Sequence, residues 1–93
     1  MVVGIMEIDF KIFNTRSLKD KRRVVKSLID KTKNLFNVSI SEVDNNDMIN
    51  YSTVGLACVS NSSRFVESLM DKILEFYDGN YDIEIVSARK ELL

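Results

Sequence analysis

Met-Glu-Ile-Asp-Phe-Lys-Ile, at residues 6–12, alternates strictly between apolar and charged side chains. Successive side chains of a β-strand point to opposite faces, so this period of two predicts a strand with one buried and one exposed face. From residue 18 to residue 36 the period changes to that of an amphipathic helix. Its predicted buried stripe contains Leu18, Val25, Leu28, Ile29, Thr32, Leu35 and Phe36. Ser17 is predicted to cap this helix, with Asp20 in the reciprocal position of a capping box.

The same order recurs in the second half of the chain. Strand patterns cover residues 38–43, 51–60 and 81–89, and a polar turn occupies residues 44–50. Between the last two strands lies a second helix, which Asn61, Ser62 or Ser63 can cap and Gly79 stops. Its predicted buried stripe contains Phe65, Val66, Leu69, Met70, Ile73, Leu74 and Tyr77.

This order predicts an α+β fold and a single domain over residues 1–93. Two strand–helix–strand units give the ferredoxin-like β-α-β-β-α-β sandwich, a four-stranded antiparallel sheet with two helices on one face. Right-handed crossovers place the first and third strands in the centre of that sheet. The opposite face of the sheet is then expected to be uncovered.

The composition limits the kinds of catalytic and metal-binding sites that the chain can form. The chain has no histidine, which is the commonest general base and the commonest metal ligand, so we expect no enzyme activity, no cofactor and no metal. Cys58 is the single cysteine and lies in an apolar run, which predicts a buried small hydrophobe and not a reactive thiol. No apolar run approaches the length of a membrane span, so a cytoplasmic location without membrane contact is expected.

Charge is sorted strongly along the chain. Residues 11–33 contain nine Lys or Arg and two Asp, a local net charge of +7, although the whole chain has a net charge of −1. Cations at the N-terminus of a helix have the wrong sign for its dipole, and a bound anion would relieve that conflict. The functional interpretation is a phosphate-binding surface that contacts RNA. Its predicted residues are Arg16, Lys19, Lys21, Arg22, Arg23 and Lys26.

Two other interpretations of this charge remain open. The cations can form an ordinary solvated helix face, which is common on exposed helices. Alternatively, Glu42, Asp44 and Asp47 can neutralise part of the charge, because the loop after the second strand lies near the start of the first helix.

The uncovered face of the sheet offers a second candidate surface. Antiparallel pairing is expected to place the start of the first strand beside the ends of the third and fourth strands. The predicted apolar patch consists of Val3, Ile5, Ala57, Val59, Val86 and Ala88. Such a patch predicts a homodimer, whereas the alternative is a set of scattered surface hydrophobes.

Two further functions of this fold are disfavoured. Glu7 and Asp9 on the open face would repel phosphate, so a sheet-face RNA platform is not expected. Arg16 and Asn50 could be cast as the arginine and asparagine of an acylphosphatase, but the glycine-rich phosphate loop is missing. No small-molecule substrate is identified.

Three short runs carry a resemblance to a known family. They are SLKDKRRVVKSL at residues 17–28, FNVS at residues 36–39 and EVD at residues 42–44. Together they resemble the bacterial YlxP-like family, also called domain of unknown function 503. The resemblance implies a ferredoxin-like fold, a cytoplasmic protein and gene neighbourhoods with translation initiation and ribosome assembly factors. It implies no established activity and no catalytic residues.

Overall fold

The computed structural model describes residues 1–93 and has the element order β-α-β-β-α-β. The elements are β1 (Val2–Ile12), α1 (Leu18–Leu35), β2 (Ser39–Asp44), β3 (Tyr51–Ser60), α2 (Ser63–Asp78) and β4 (Ile83–Leu92). The strands form one antiparallel sheet in the order β2-β3-β1-β4, so β1 and β3 are central. The predicted ferredoxin-like fold class is confirmed. Neither helix is long and apolar enough to cross a membrane.

The core lies between the two helices and one face of the sheet. The predicted inward side chains of β1 are all buried: Met6, Ile8, Phe10 and Ile12. They meet a single buried row on α2, formed by Val66, Met70, Ile73 and Tyr77. Gly4 lies where α2 crosses the sheet, and a Cβ atom there would collide with the side chains of Val66 and Met70. A glycine is therefore required for α2 to approach β1 this closely.

Both helices begin at serine caps. The hydroxyl of Ser17 accepts a hydrogen bond from the Asp20 backbone N–H at 3.1 Å, and that of Ser62 accepts one from the Phe65 N–H at 3.2 Å. The Asp20 carboxylate accepts from the backbone N–H of Arg16 at 3.2 Å, one residue earlier than the capping box requires. An acid therefore already occupies the first turn of α1.

The buried stripes are narrower than predicted. The sequence pattern predicts that Leu35 and Phe65 are buried, but they are 60% and 57% exposed. Phe65 precedes the inward-pointing Val66 by one residue, which turns it about 100° away from the core on a helix of 3.6 residues per turn. Leu35 is the last residue of α1, and the next residue, Phe36, packs against the core instead.

The register of β4 corrects the predicted open-face patch. A β-bulge makes Ile85 pair with Phe10 while Ser87 pairs with Asp9, so Val86 is an extra residue without a partner on β1. The extra residue reverses the alternation that follows, and Ala88 pairs with the core residue Ile8. Ala88 therefore lies on the helix side of the sheet, and Val86, which is 50% exposed, is not assigned to a face by the register.

Candidate functional site

The basic residues of α1 largely retain their predicted exposure. The basic face, as we define it, consists of Arg16, Lys19, Arg22, Arg23 and Lys26, all of which are exposed. Lys26 pairs with Asp30 one turn later, with 2.9 Å between Nζ and Oδ2. The other four side chains make no ion pair within the chain. The basic face is therefore a cluster of cations that the protein leaves mostly uncompensated.

Lys21 corrects the predicted set of anion-binding residues. Its side chain is 0% exposed, and Nζ lies 2.7 Å from Oε2 of Glu42. Nζ also donates to the backbone carbonyl oxygens of Asn45 at 2.8 Å and Asn46 at 3.1 Å. These three acceptors satisfy all three N–H donors of an ammonium group. Lys21 cannot contact an outside anion in this structure.

Lys21 is buried because of its position on the helix. It precedes Val25 by four residues and Leu28 by seven, which is the spacing of a single helical face, and both of those residues are buried. This spacing is visible in the sequence and is the signal that would have placed Lys21 inside. What the spacing cannot show is that a loop supplies the oxygen ligands for its charge.

The loop after β2 is folded against the start of α1. Asn45 has a positive φ of 59°, and its backbone N–H donates to Oδ1 of Asp44 at 2.7 Å. The hydroxyl of Thr15 donates to the carbonyl of Ile49 at 2.8 Å, which ties the same loop to the residues before the helix. Of the three predicted neutralising acids, only Glu42 forms an ion pair with the basic segment. Internal neutralisation therefore accounts for Lys21 and leaves the basic face free.

The centre of the open sheet face carries a polar network that the sequence pattern did not reveal. Arg89 on β4 donates two hydrogen bonds to Asp9 on β1, from Nη1 to Oδ2 at 2.6 Å and from Nη2 to Oδ1 at 3.2 Å. The hydroxyls of Ser87 and Thr53 each donate to Asp9 at 2.7 Å. The Asn45 side-chain amide donates to Thr53 Oγ1 at 2.9 Å, so the network spans the sheet.

This network joins one arginine to two carboxylates, because Nη2 of Arg89 also lies 3.5 Å from Oε2 of Glu7. The guanidinium of Arg89 holds the pKa of Asp9 well below its usual range, and the hydroxyl hydrogen bonds act in the same direction against the effect of burial. The same contact raises the pKa of Arg89. A regular alternation along β4 would have turned Arg89 toward the helices, so only the bulge at Val86 brings it beside Asp9.

The apolar part of the open face lies at one end of the sheet. Val3 pairs with Val59, and Ile5 pairs with Ala57, across the two central strands. Leu93 joins them, because its backbone N–H donates to the Val3 carbonyl at 2.7 Å and its carbonyl accepts from the Val3 N–H at 3.3 Å. The open-face patch therefore consists of Val3, Ile5, Ala57, Val59 and Leu93. Val59 is 62% exposed and Leu93 is 65% exposed.

Cys58 lies on β3 between Ala57 and Val59, with its side chain on the helix side of the sheet. It belongs to the buried core, as the apolar run around it predicted. Burial raises the pKa of its thiol, which lowers the fraction present as the nucleophilic thiolate.

The chain is similar to known proteins over nearly its full length. Residues 3–90 match the family described as "Protein of unknown function (DUF503)". The chain belongs to the DUF503 family. A curated relative, the "Uncharacterized protein YlxP" of Bacillus subtilis (strain 168), is 36% identical to it over 90 residues. That alignment covers 97% of this DUF503 chain and 98% of the relative.

Two solved structures share the fold of this DUF503 chain. The de novo designed protein Foldit4 has a TM-score of 0.58 at 16% identity, with 96% of each chain covered. A dimeric ferredoxin-like protein from an uncultured marine organism has a TM-score of 0.56 at 9% identity, covering 100% of this chain and 96% of the other. At these identities the likeness concerns the fold alone.

Proposed function

We propose that this DUF503 chain is a cytoplasmic binding module, and not an enzyme, that contacts RNA phosphates through the basic face of α1. The observation that carries the proposal is the contrast between Lys21 and its neighbours. The fold supplies a carboxylate and two carbonyl oxygens for Lys21, whereas Lys19, Arg22 and Arg23 have no acidic partner. Cations that the chain does not neutralise are available to an external polyanion.

Physical chemistry favours a phosphate polymer over a single small anion. The basic face follows successive turns of α1 from Lys19 to Lys26, with Arg16 just before the cap, so it presents a line of charge. A polymer that is neutralised along such a line releases condensed counterions, and this release drives binding. Arginine adds paired donors that match the geometry of a phosphate group.

Replacing Arg22, Arg23 and Lys26 together by alanine should weaken RNA binding regardless of RNA sequence. Each phosphate contact contributes about 0.7–0.9 to the slope of log affinity against log salt, so the slope should fall by about two to three. Fluorescence anisotropy of labelled RNA, titrated at several salt concentrations, measures both the affinity and the slope.

A matched control removes three exposed cations outside the basic face: Lys11, Arg64 and Lys72. None of them forms an ion pair, so the control changes the net charge equally without disturbing a contact. We expect the control to retain most of the affinity and the salt slope. Equal losses in the two triple variants would reduce the interaction to a nonspecific charge effect and refute the proposal.

The open-face patch supports a second candidate function, a homodimeric interaction subunit. Apolar side chains at one end of an uncovered sheet are a common form of protein interface. Asp9 beside the patch is held by Arg89 through two hydrogen bonds, so its charge would keep a partner when the patch is covered. The fold-level relative from the marine organism is itself described as dimeric.

Replacing Val59 by aspartate should abolish this self-association, because it places a charge in the middle of the apolar contact. Sedimentation velocity over a range of protein concentrations measures the oligomeric state, and association through this patch should depend only weakly on salt. Phe65→Asp is the matched control, since Phe65 is similarly exposed but lies on α2. An unaltered protein that stays monomeric at high micromolar concentration would eliminate this candidate.

A further inference from the structure

A groove borders one side of the basic face. Arg23, Ser27 and Lys31 of α1 form one wall, and Asn80 and Asp82 of the turn between α2 and β4 form the other. The volume of this groove is about 190 Å³. A second depression continues from it, sharing Lys31, Asn80 and Asp82 with it and adding Phe76 and Tyr81 to its lining. The two together connect the basic helix with an aromatic turn.

The cations along this groove differ from those on the rest of the helix. Lys19, Arg23 and Lys31 lie at intervals of four or eight residues, so they follow one ridge of α1, which winds by about 120° round the helix over about 18 Å. None of these three side chains makes an ion pair within the chain. The neighbouring row contains Lys26 and its partner Asp30, which weaken its positive field. The most uncompensated line of charge on α1 therefore leads to the groove.

Tyr81 stands at the far end of that line and is 97% exposed. Its turn is nevertheless well anchored. The Asn80 backbone N–H donates to the Tyr77 carbonyl at 3.1 Å, and the Phe13 N–H donates to the Asp82 carbonyl at 2.9 Å. The Asp82 N–H donates to Oδ1 of Asn80 at 2.9 Å. An aromatic ring on such a turn presents its faces to solvent, where a nucleic-acid base can stack.

We infer that the RNA bound by this module is single-stranded, with its phosphates on the basic face and on Lys31 and a base stacked on Tyr81. The inference rests on the proposed RNA function and specifies its ligand. Stacking of this kind requires an unpaired base, because the bases of a duplex are already stacked on one another and enclosed between two backbones. Electrostatic contact along a helix combined with an aromatic platform is a general means of holding a single strand.

The groove also contains two carboxylates, those of Glu75 and Asp82. Neither makes an ion pair, so each repels a phosphate that comes near. They keep the RNA phosphates away from the turn, so the phosphates are expected to bind along the cations of α1. Removing the charge of Asp82, which borders both depressions, should therefore strengthen binding.

The test compares a labelled oligouridine with a labelled RNA duplex of the same length, both by fluorescence anisotropy at low salt. Tyr81→Ala should weaken binding of the oligouridine by about fivefold or more, the equivalent of one stacked base. Tyr81→Phe should retain the affinity, because the ring and not the hydroxyl makes the contact. Asp82→Asn should bind the oligouridine about twofold or more tightly. Binding of the duplex should be unchanged by Tyr81→Ala.

Three results would overturn the inference, and they differ in what they leave standing. If Tyr81→Ala binds the oligouridine as tightly as the parent while the Arg22, Arg23 and Lys26 triple variant binds weakly, the stacking is refuted and the RNA function is retained. If Tyr81→Ala weakens duplex and oligouridine equally, Tyr81 does not distinguish single strands and the inference fails. If the parent binds neither RNA, the inference and the proposed function fail together.

Discussion

Replacing Lys21 by methionine should lower the free energy of unfolding by about 3–5 kcal/mol, because it breaks a buried ion pair and leaves one charge without its partner. Glu42 would retain only the hydroxyl of Ser52, which donates to Oε2 at 2.5 Å. The carbonyl oxygens of Asn45 and Asn46 would also lose the donor that holds the loop against α1. A loss of this size is a large part of the 5–15 kcal/mol that stabilises a typical domain.

Urea unfolding followed by circular dichroism measures this loss. Lys26→Met is the matched control, since Lys26 lies on the same helix but its pair with Asp30 is exposed and should contribute less than about 1 kcal/mol. Adding Glu42→Gln to Lys21→Met should recover part of the stability by removing the unpaired charge. The buried pair would lose its assigned role if Lys21→Met were no less stable than Lys26→Met.

The Lys21 variants also separate structure from function. Lys21 is fully buried, so its replacement should lower stability but leave the RNA affinity of the folded protein unchanged. Replacements in the basic face should lower the RNA affinity and leave stability nearly unchanged. Lys21 and its neighbour Arg22 therefore have different roles. Lys21 neutralises Glu42 and holds the loop, whereas Arg22 faces solvent.

Replacing Tyr77 by alanine should have an effect of similar size, about 3–5 kcal/mol, because it removes the largest fully buried side chain and leaves a cavity. The ring of Tyr77 packs edge-to-face against Phe10, with 6.1 Å between centroids, and its hydroxyl lies 2.9 Å from Oγ1 of Thr32. It therefore joins α2 to both the sheet and α1. Burial raises the pKa of this hydroxyl to about 12, so it remains protonated at neutral pH.

Tyr77→Phe separates the ring from the hydroxyl. It should cost only about 0.5–1.5 kcal/mol, because the Thr32 hydroxyl keeps its hydrogen bond to the Leu28 carbonyl at 2.7 Å. Tyr81→Ala, at an exposed position, should change stability by less than about 0.5 kcal/mol and serves as the aromatic control. Equal stabilities of Tyr77→Ala and Tyr77→Phe would contradict the central position of this ring in the core.

The family resemblance seen in the first half of the chain agrees with the match over residues 3–90, but it carries no activity with it. The proposed functions therefore depend on the side chains themselves. The cations of the first helix and the apolar patch of the open face were both predicted from spacing, and the structure changes the membership of both. Lys21 is buried and does not belong to the basic face, and Ala88 lies on the helix side and does not belong to the open-face patch.

The sequence alone determined the element order, the inward faces of β1 and α2, and the concentration of positive charge on α1. Each of these depends on local periodicity, which a chain displays before it folds. Tertiary structure decided where two charges lie: Lys21 under the loop at Asn45, and Arg89 beside Asp9 on the open face. A one-residue bulge reverses every later side chain of a strand, and a buried charge takes its ligands from residues distant in sequence. The spacing of Lys21 from Val25 and Leu28 marks it as inward-facing, but neither the bulge nor the oxygen ligands of the buried charge leave a periodic trace, so only the folded arrangement shows them.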